Sequence, residues 1–151
     1  MKDNYEISEN TLAVVGLKNG KSRVIEYNLD RLYDITSYSI MEYGCNYFGS
    51  SYNGRVEGTK KIMGYSYKVP IIVEESSDLI FFPTTSPSFN NCIWFNLSGV
   101  LDIQEKFNVC IVTLINNKRV VVQMSKSSLE NQILRATRLK YLLNGRKKVK
   151  N

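Results

Sequence analysis

The sequence predicts an α+β fold, with a mainly antiparallel β-sheet, a C-terminal amphipathic helix and a basic tail. Short apolar runs recur between Gly, Pro, Ser and Asn residues, a spacing that favours antiparallel strands over alternating βαβ units. Two pairs of these runs flank short Asn-containing turns, as the arms of β-hairpins do. A longer amphipathic pattern follows near the C-terminus and indicates a helix packed on the sheet.

The first predicted element is a hairpin whose arms are residues 11–18 and 21–27. Asn19 and Gly20 lie between the arms. Both residue types tolerate positive φ, which a two-residue type I′ turn needs at both central positions. A short helical turn is expected next, over residues 36–43, and Gly44 is expected to end it.

Residues 45–59 form a segment rich in Gly and Ser, with aromatic residues interleaved. This composition predicts a tightly turning loop whose backbone amides are exposed, as in anion-binding nests. Arg55, with Lys60 and Lys61 just beyond the segment, would make it a phosphate-gripping loop. The alternative is a loop whose aromatic side chains simply anchor it to the core.

Three further strands are predicted, at residues 69–73, 79–82 and 93–95. Trp94 lies between two apolar residues and is therefore assigned to the core. A second hairpin is predicted with arms at residues 109–115 and 118–124. Asn116 and Asn117 form its turn, because Asn accepts left-handed backbone geometry better than most residues.

The C-terminal helix is predicted over residues 127–143. Ser127 and Glu130 match a capping box at its start, and Gly145 is placed at its C-cap. One side of this helix is apolar and should face the sheet; it carries Leu129, Ile133, Ala136, Leu139 and Leu143. Residues 146–151 would then form the basic tail.

Positive charge is concentrated at the C-terminal end of the chain. The net charge is +6, yet residues 1–134 carry 13 basic and 14 acidic residues. The remaining seven basic residues all lie between Arg135 and Lys150, and Glu130 is the last acidic residue. Such a field attracts polyanions, although a tail that only aids solubility is the alternative.

The composition argues against an enzyme. The chain has no His, which removes Ser-His-Asp and Cys-His nucleophiles and every His-ligated metal site. Gly49-x4-Gly54 resembles a Walker A loop, but Arg55 and Val56 stand where that motif needs Lys and then Ser or Thr. We therefore predict no catalytic, cofactor or metal residue; a nucleotide-binding enzyme built on this loop is kept only as an alternative.

The compartment is inferred from what the sequence lacks. The longest apolar runs are far shorter than the ~18 residues of a membrane span. The polar, acidic N-terminus does not resemble a signal peptide. The three Cys residues are widely spaced and form no CxxC pair, which favours free thiols over disulfides. We expect a cytoplasmic, nucleoid-associated protein with no membrane partner.

Five short motifs occur in order along the chain: Cys45-x-x-Phe48-Gly49-Ser50-Ser51-Tyr52-x-Gly54-Arg55-x-x-Gly58-Thr59, Pro70-Ile71-x-Val73, Phe81-Phe82-Pro83-Thr84, Cys92-x-Trp94, and Ser128-x-Glu130-Asn131-Gln132 followed by Arg135. In order and spacing they resemble the ComK-type competence transcription factors. The resemblance covers residues 11–143.

The resemblance implies that residues 1–145 form a single ComK-like DNA-binding domain, with residues 146–151 as its basic tail. It implies a positive regulator of DNA-uptake genes that recognises A/T-rich boxes in double-stranded DNA through the minor groove and phosphate contacts. It also implies self-association, as a dimer or a dimer of dimers, and RNA polymerase as a further partner. No cofactor is implied.

Among the DNA-binding residues, Arg55 and Arg135 are assigned by the family motifs. Charge and position add Asn53, Lys60, Lys61, Arg138, Lys140, Arg146, Lys147 and Lys148. Two alternatives to a specific regulator are kept. One is a protein-interaction module. The other is an inactive paralogue with only non-specific DNA affinity, because family members extend beyond the last motif and this chain is shorter.

Overall fold

The computed structural model describes residues 4–65 and 67–150, with only the backbone described for residues 148–150. The strands within this part are β1 (Thr11–Gly16), β2 (Ser22–Glu26), β3 (Asp30–Tyr33), β4 (Ile71–Glu74), β5 (Leu79–Pro83), β6 (Ile93–Asn96), β7 (Val100–Lys106), β8 (Val109–Leu114) and β9 (Arg119–Val122). The helices are α1 (Ser37–Tyr47), α2 (Tyr52–Met63) and α3 (Lys126–Lys150). The predicted α+β class is confirmed.

The strands form two antiparallel sheets. The larger has six strands in the order β3-β2-β1-β6-β5-β4, and the smaller has three in the order β7-β8-β9. Helix α1 packs on one face of the larger sheet, whereas α3 and the smaller sheet cover the other face. Helix α2 lies beside the edge strand β4, contributes residues to the cores on both sides and contacts α3. The larger sheet is therefore the middle of three layers, and a hydrophobic core lies on each side of it.

Alternate side chains of the central strands enter different cores. Phe81 and Trp94 pack against α1, while Phe82 and Phe95 face α3 and the smaller sheet. This follows from strand geometry, in which successive side chains point to opposite faces. Burial on both faces explains why β1 and β5 are continuous apolar runs rather than alternating ones. The assignment of Trp94 to the core is confirmed, since its side chain is fully buried.

Both predicted hairpins form, but their turns differ from the prediction. Of Asn19 and Gly20, Gly20 alone has a positive φ, 83°, and its N–H donates to the Leu17 carbonyl at 3.0 Å. The loop therefore has three residues with Gly in the left-handed position, so the predicted type I′ turn is wrong. Asn117, with φ 69°, takes the same position in the second hairpin.

Helix α1 continues past Gly44, so the predicted end at that residue is wrong. Thr36 caps its start by accepting a hydrogen bond from the Ser39 N–H at 3.1 Å. A Cβ at position 44 would lie 2.9 Å from the Ile7 side chain. Gly44 therefore allows α1 to pack closely against Ile7 and does not terminate the helix.

The predicted loop over residues 45–59 is mostly helical. The end of α1 and the beginning of α2 enclose a short connection in which Gly49 has a φ of 81°. Ser51 caps α2 by accepting a hydrogen bond from the Gly54 N–H at 2.9 Å. This cap, together with the burial of Tyr52 and Thr59, stabilises a helix despite the low helix propensity of Gly.

Helix α3 is longer than predicted at both ends. The side chain of Ser125, rather than Ser127, accepts a hydrogen bond from the Ser128 N–H at 3.2 Å, so the predicted capping box is wrong. The helix also continues through Gly145, which therefore does not cap it. Beyond that Gly, Lys147 forms an ion pair with Asp78 at 2.8 Å, which holds the last turns against the β4–β5 turn.

Candidate nucleic-acid interface

Helix α2 presents two kinds of surface. Tyr52 and Thr59 are buried against the core, whereas Asn53 and Lys61 are exposed. The helix ends at Gly64, whose N–H donates to the Lys60 carbonyl at 2.8 Å. Lys60 and Lys61 thus lie in the last turn, where the helix dipole favours cations.

Helix α3 packs with its apolar side inward and carries a basic stripe beside it. Leu129, Ala136 and Leu139 are fully buried. At ~100° per residue, the residues on one flank of this buried side are Asn131, Arg135, Arg138 and Arg146. Arg135 points toward the segment that follows α2, and Arg146 lines a cleft shared with α2, so these two members of the stripe lie close to α2 or to the segment after it.

Arg135 is held in one orientation by the segment between α2 and β4. Its guanidinium carbon lies 4.2 Å from the centroid of the Tyr65 ring. Its Nη1 donates to the Tyr67 carbonyl at 3.3 Å and to the Gln132 side-chain oxygen at 3.4 Å. Stacking on an aromatic face leaves much of a guanidinium able to contact an anion. Arg135 is therefore a preorganised cation at the edge of the molecule.

A cleft of about 330 Å³ separates α2 from the C-terminal turns of α3. Its lining residues are Ser50, Gly54, Arg55, Gly58, Thr59, Ile62, Ile72, Glu75, Leu143, Arg146 and Lys147. The structure thus brings together Arg55 and Arg146, which are 91 residues apart in the chain. Basic, hydroxyl and apolar side chains together give the cleft an amphipathic character.

Two polar atoms in this cleft have no hydrogen-bond partner among the described residues: Nε of Arg55 and Oγ1 of Thr59. Thr59 is only 1% exposed. Buried polar groups are almost always hydrogen-bonded, because leaving one unpaired is unfavourable. The Arg55 guanidinium is also close enough to Cys45 to partly offset the effect of burial, which raises the pKa of that thiol.

The ten predicted DNA-binding residues fall into distinct places. Arg55 on α2 and Arg146 on α3 line the cleft between the two helices, and Arg135 reaches the segment that follows α2. Arg138 is exposed on the same stripe of α3, and Lys61 shares the side of α2 that carries Gly54 and Gly58. Asn53 and Lys60 point outward from α2, where Lys60 lies 3.7 Å from Glu57. The side chain of Lys148 is outside the described residues.

Of the predicted basic residues, Lys147 lines the cleft but is already paired, and Lys140 lies away from the arginine stripe. Lys147 donates to the Asp78 carboxylate at 2.8 Å and to the Glu75 carbonyl at 2.6 Å, so its charge is already paired. Lys140 lies on the opposite flank of α3 from Arg138, at ~100° per residue. Sequence position alone did not distinguish these two lysines from Arg138 and Arg146.

Thr59 and Tyr65 were not among the binding residues predicted from the sequence. Thr59 supplies the unpartnered hydroxyl of the cleft, and Tyr65 supports Arg135. A signal was present for Thr59, since it lies four residues after Arg55 and so on the same side of a helix. This four-residue spacing is informative only in a helix, whereas the sequence predicted a loop for this segment.

No group of three or more His, Cys, Asp or Glu side chains in the described ranges is arranged to hold a metal ion. Among the same residues, no helix has both the length and the apolar character needed to cross a membrane.

Comparisons with known proteins agree with the motifs. A protein-family model described as "ComK protein" matches residues 2–148. The chain is also similar to the competence transcription factor of Bacillus subtilis (strain 168), with 32% identity over 142 residues. The match covers 91% of this chain and 74% of the relative. No solved structure matches the chain.

Proposed function

Because this chain belongs to the ComK protein family, we propose that it is a competence transcription factor that binds double-stranded DNA through the facing sides of α2 and α3. Family membership assigns it to transcription factors and not to enzymes. The nucleotide-binding enzyme considered above is therefore dropped.

The observation that carries the proposed surface is the alignment of arginines along α2 and α3. Arg135, Arg138 and Arg146 share one stripe of α3, and Arg146 lines the same cleft as Arg55 on α2. A double helix is a regular array of phosphates, and a row of arginines gives a matching array of bidentate donors. We assign phosphate contacts to Arg55, Arg138 and Arg146 and, by their position on α2, to Asn53, Lys60 and Lys61.

The proposed mode of recognition is insertion of arginine side chains into the minor groove of A/T-rich boxes. A narrow A-tract groove concentrates negative potential and attracts Arg or Lys, while phosphate contacts fix the register. Arg135 suits the inserted position because Tyr65 and the Tyr67 carbonyl hold it in place, which reduces the entropy lost on binding.

Self-association, as a dimer or a dimer of dimers, is part of the proposal. A single module of this size rarely gives enough specificity for its target over the competing sites of a genome. Two copies bound to paired boxes would each contribute to that specificity. Activation through contact with RNA polymerase is proposed on the same basis of family membership. Self-association and contact with RNA polymerase would both take place in the cytoplasm, on the nucleoid.

Fluorescence anisotropy tests the mode of recognition. The full chain is titrated with a duplex carrying two A/T boxes and with a G/C-rich duplex of equal length, each over a salt series. We expect tighter binding to the A/T duplex and a steep loss of affinity as salt rises. Equal, weak binding to both duplexes would refute specific recognition and leave only non-specific attraction of a basic surface.

One observation favours a second function, binding to a protein partner through the smaller sheet. Leu101, Phe107 and Val121 are exposed there, and Phe107 is 97% exposed at the β7–β8 turn. Burying such apolar side chains against another molecule would remove apolar surface from water, which favours association. Replacing Phe107 with Ser tests whether this face contributes to self-association: a lower mass by light scattering supports it, and an unchanged mass argues against it.

A further inference from the structure

The cleft between α2 and α3 contains buried polar atoms that have no hydrogen-bond partner among the described residues. Thr59 is nine-tenths buried or more, yet its hydroxyl has no partner among the described residues, and neither has Nε of Arg55. Both atoms belong to residues that line the cleft. A guanidinium N–H can only donate a hydrogen bond and a hydroxyl can donate one, so a single acceptor could satisfy both groups.

The charge of the cleft favours an anionic acceptor. Arg55 and Arg146 line it, and Lys147 is neutralised by Asp78. Among the described lining residues Glu75 is the acidic one, and it lies exposed at the rim. The N-terminal part of α2 also contributes Gly54 to the lining, and a helix N-terminus carries a partial positive charge. The net field is positive.

The glycines of α2 leave space for that anion. A Cβ at Gly58 would meet no atom within 4 Å, although Gly58 lines the cleft. Gly58 is therefore not required for internal packing, and Gly is unfavourable inside a helix. Its benefit lies in keeping this side of α2 bare, so that a ligand can approach the backbone closely.

We propose that this cleft binds one phosphate group, held by Arg55, Thr59 and Arg146. Phosphate accepts several charge-assisted hydrogen bonds at once and is the anion that guanidinium groups match best. Two sources share this chemistry: a phosphodiester of the DNA backbone, and a free phosphate or phosphomonoester. The DNA source rests on the proposed function, whereas binding of the phosphate group does not.

Two matched glycine variants test the cleft. Gly58→Ala and Gly145→Ala make the same change inside a helix, and neither added methyl meets a neighbour. Gly145 lies outside the cleft lining. Each variant should raise Tm by about 2–4 °C, because Ala is the better helix former. A difference between them in ligand binding then reports on the cleft and not on stability.

Inorganic phosphate is titrated into the full chain at constant ionic strength, with amide NMR shifts as the readout. We expect saturable binding with the largest shifts at Gly54, Gly58 and Thr59, and the same affinity in Gly145→Ala. Gly58→Ala should bind at least tenfold more weakly, as should Arg55→Gln. Absence of saturable binding to the wild type, or equal affinity in the two glycine variants, would overturn the proposal.

The A/T duplex separates the two sources. If Gly58→Ala loses affinity for both phosphate and DNA, the cleft holds a backbone phosphodiester. If Gly58→Ala loses affinity for inorganic phosphate but binds the A/T duplex normally, the ligand is a free phosphate or phosphomonoester. Phosphate binding by a wild type that shows no preference for A/T boxes would uphold the cleft and refute the proposed recognition. Specific DNA binding by a wild type that does not bind inorganic phosphate would uphold the proposed recognition and refute the phosphate site in the cleft.

Discussion

The side-chain amide of Gln132 on α3 donates to the backbone carbonyl of Pro83 at the end of β5, 2.8 Å away. The same amide donates to the Lys68 carbonyl at 2.9 Å, and Gln132 is only 2% exposed. One buried side chain thus ties α3 to the central sheet and to the segment after α2. The segment that supports Arg135 is consequently fixed to the helix that carries Arg135.

Replacing Gln132 with Leu should lower the free energy of unfolding by about 2–4 kcal/mol, because two buried carbonyls lose their donor. Urea denaturation followed by far-UV circular dichroism measures this change. Asn131→Ala is the matched control. Asn131 adjoins Gln132 but is exposed, so this variant should lower the free energy of unfolding by no more than about 0.5 kcal/mol. Similar losses in both variants would contradict the assigned role of Gln132.

Tyr65 should act as a positioning residue for Arg135. Tyr65→Leu removes the ring beneath the guanidinium, which should cost about 0.5–1 kcal/mol of stability and lower DNA affinity several-fold. Anisotropy on the A/T duplex measures the second effect. Tyr141→Leu, at a highly exposed position of α3, should leave DNA affinity unchanged. An affinity loss of equal size in Tyr141→Leu would argue against this role for Tyr65.

The ion pairs of Asp30 should make stability depend on acid pH. Arg23 donates two hydrogen bonds to this carboxylate and Lys118 donates a third, which together hold the pKa of Asp30 at about 2. A lowered pKa stabilises the folded state above the unfolded value of about 3.9, and this contribution disappears as pH falls toward 2. It should amount to about 1–2 kcal/mol, since both cations are partly exposed.

Urea midpoints of the wild type and Asp30→Asn, measured at pH 7, 4 and 2, test this dependence. At pH 7 the wild type should be more stable than Asp30→Asn. The difference between their urea midpoints should disappear between pH 4 and 2. A gap that does not change with pH would mean that the Asp30 carboxylate contributes nothing through its charge.

The three thiols should be unreactive in the native protein. Cys45, Cys92 and Cys110 are free and buried, and burial raises the pKa of Cys45 to about 11. At pH 8 the native thiols should react with Ellman's reagent roughly 100-fold more slowly than an exposed thiol, since the thiolate is the nucleophile. In urea all three should react rapidly. Fast reaction of one thiol without urea would show that its surroundings open locally.

Much of the fold was predictable because local signals and tertiary packing agree. The two hairpins, β4 to β6 and the body of α3 combine turn residues with apolar runs, and all of them form. Strands β3 and β7 were missed because they carry mostly polar residues: β3 pairs only with β2, and β7 exposes most of its side chains. Neither strand has an apolar pattern to detect.

The candidate site was less predictable, for a physical reason. Gly54 and Gly58 have low helix propensity, so the segment that carries Arg55 looked like a loop, whereas its cap and the buried Tyr52 make it a helix. The pairing of Lys147 with Asp78 depends on a β4–β5 turn far away in sequence. The concentration of charge drew attention to the C-terminal end of the chain, but it did not separate Arg146 from Lys147, whose charge is already paired.

The salt dependence of DNA binding in two charge-matched variants tests the proposed surface most directly. Arg138→Gln and Arg119→Gln each remove one exposed positive charge, but Arg119 lies on β9, on the smaller sheet. We predict that Arg138→Gln lowers the slope of log affinity against log salt by about 0.9, the value for one lost phosphate contact, and that Arg119→Gln leaves the slope unchanged. Equal changes in both variants would contradict a DNA-binding surface on α2 and α3.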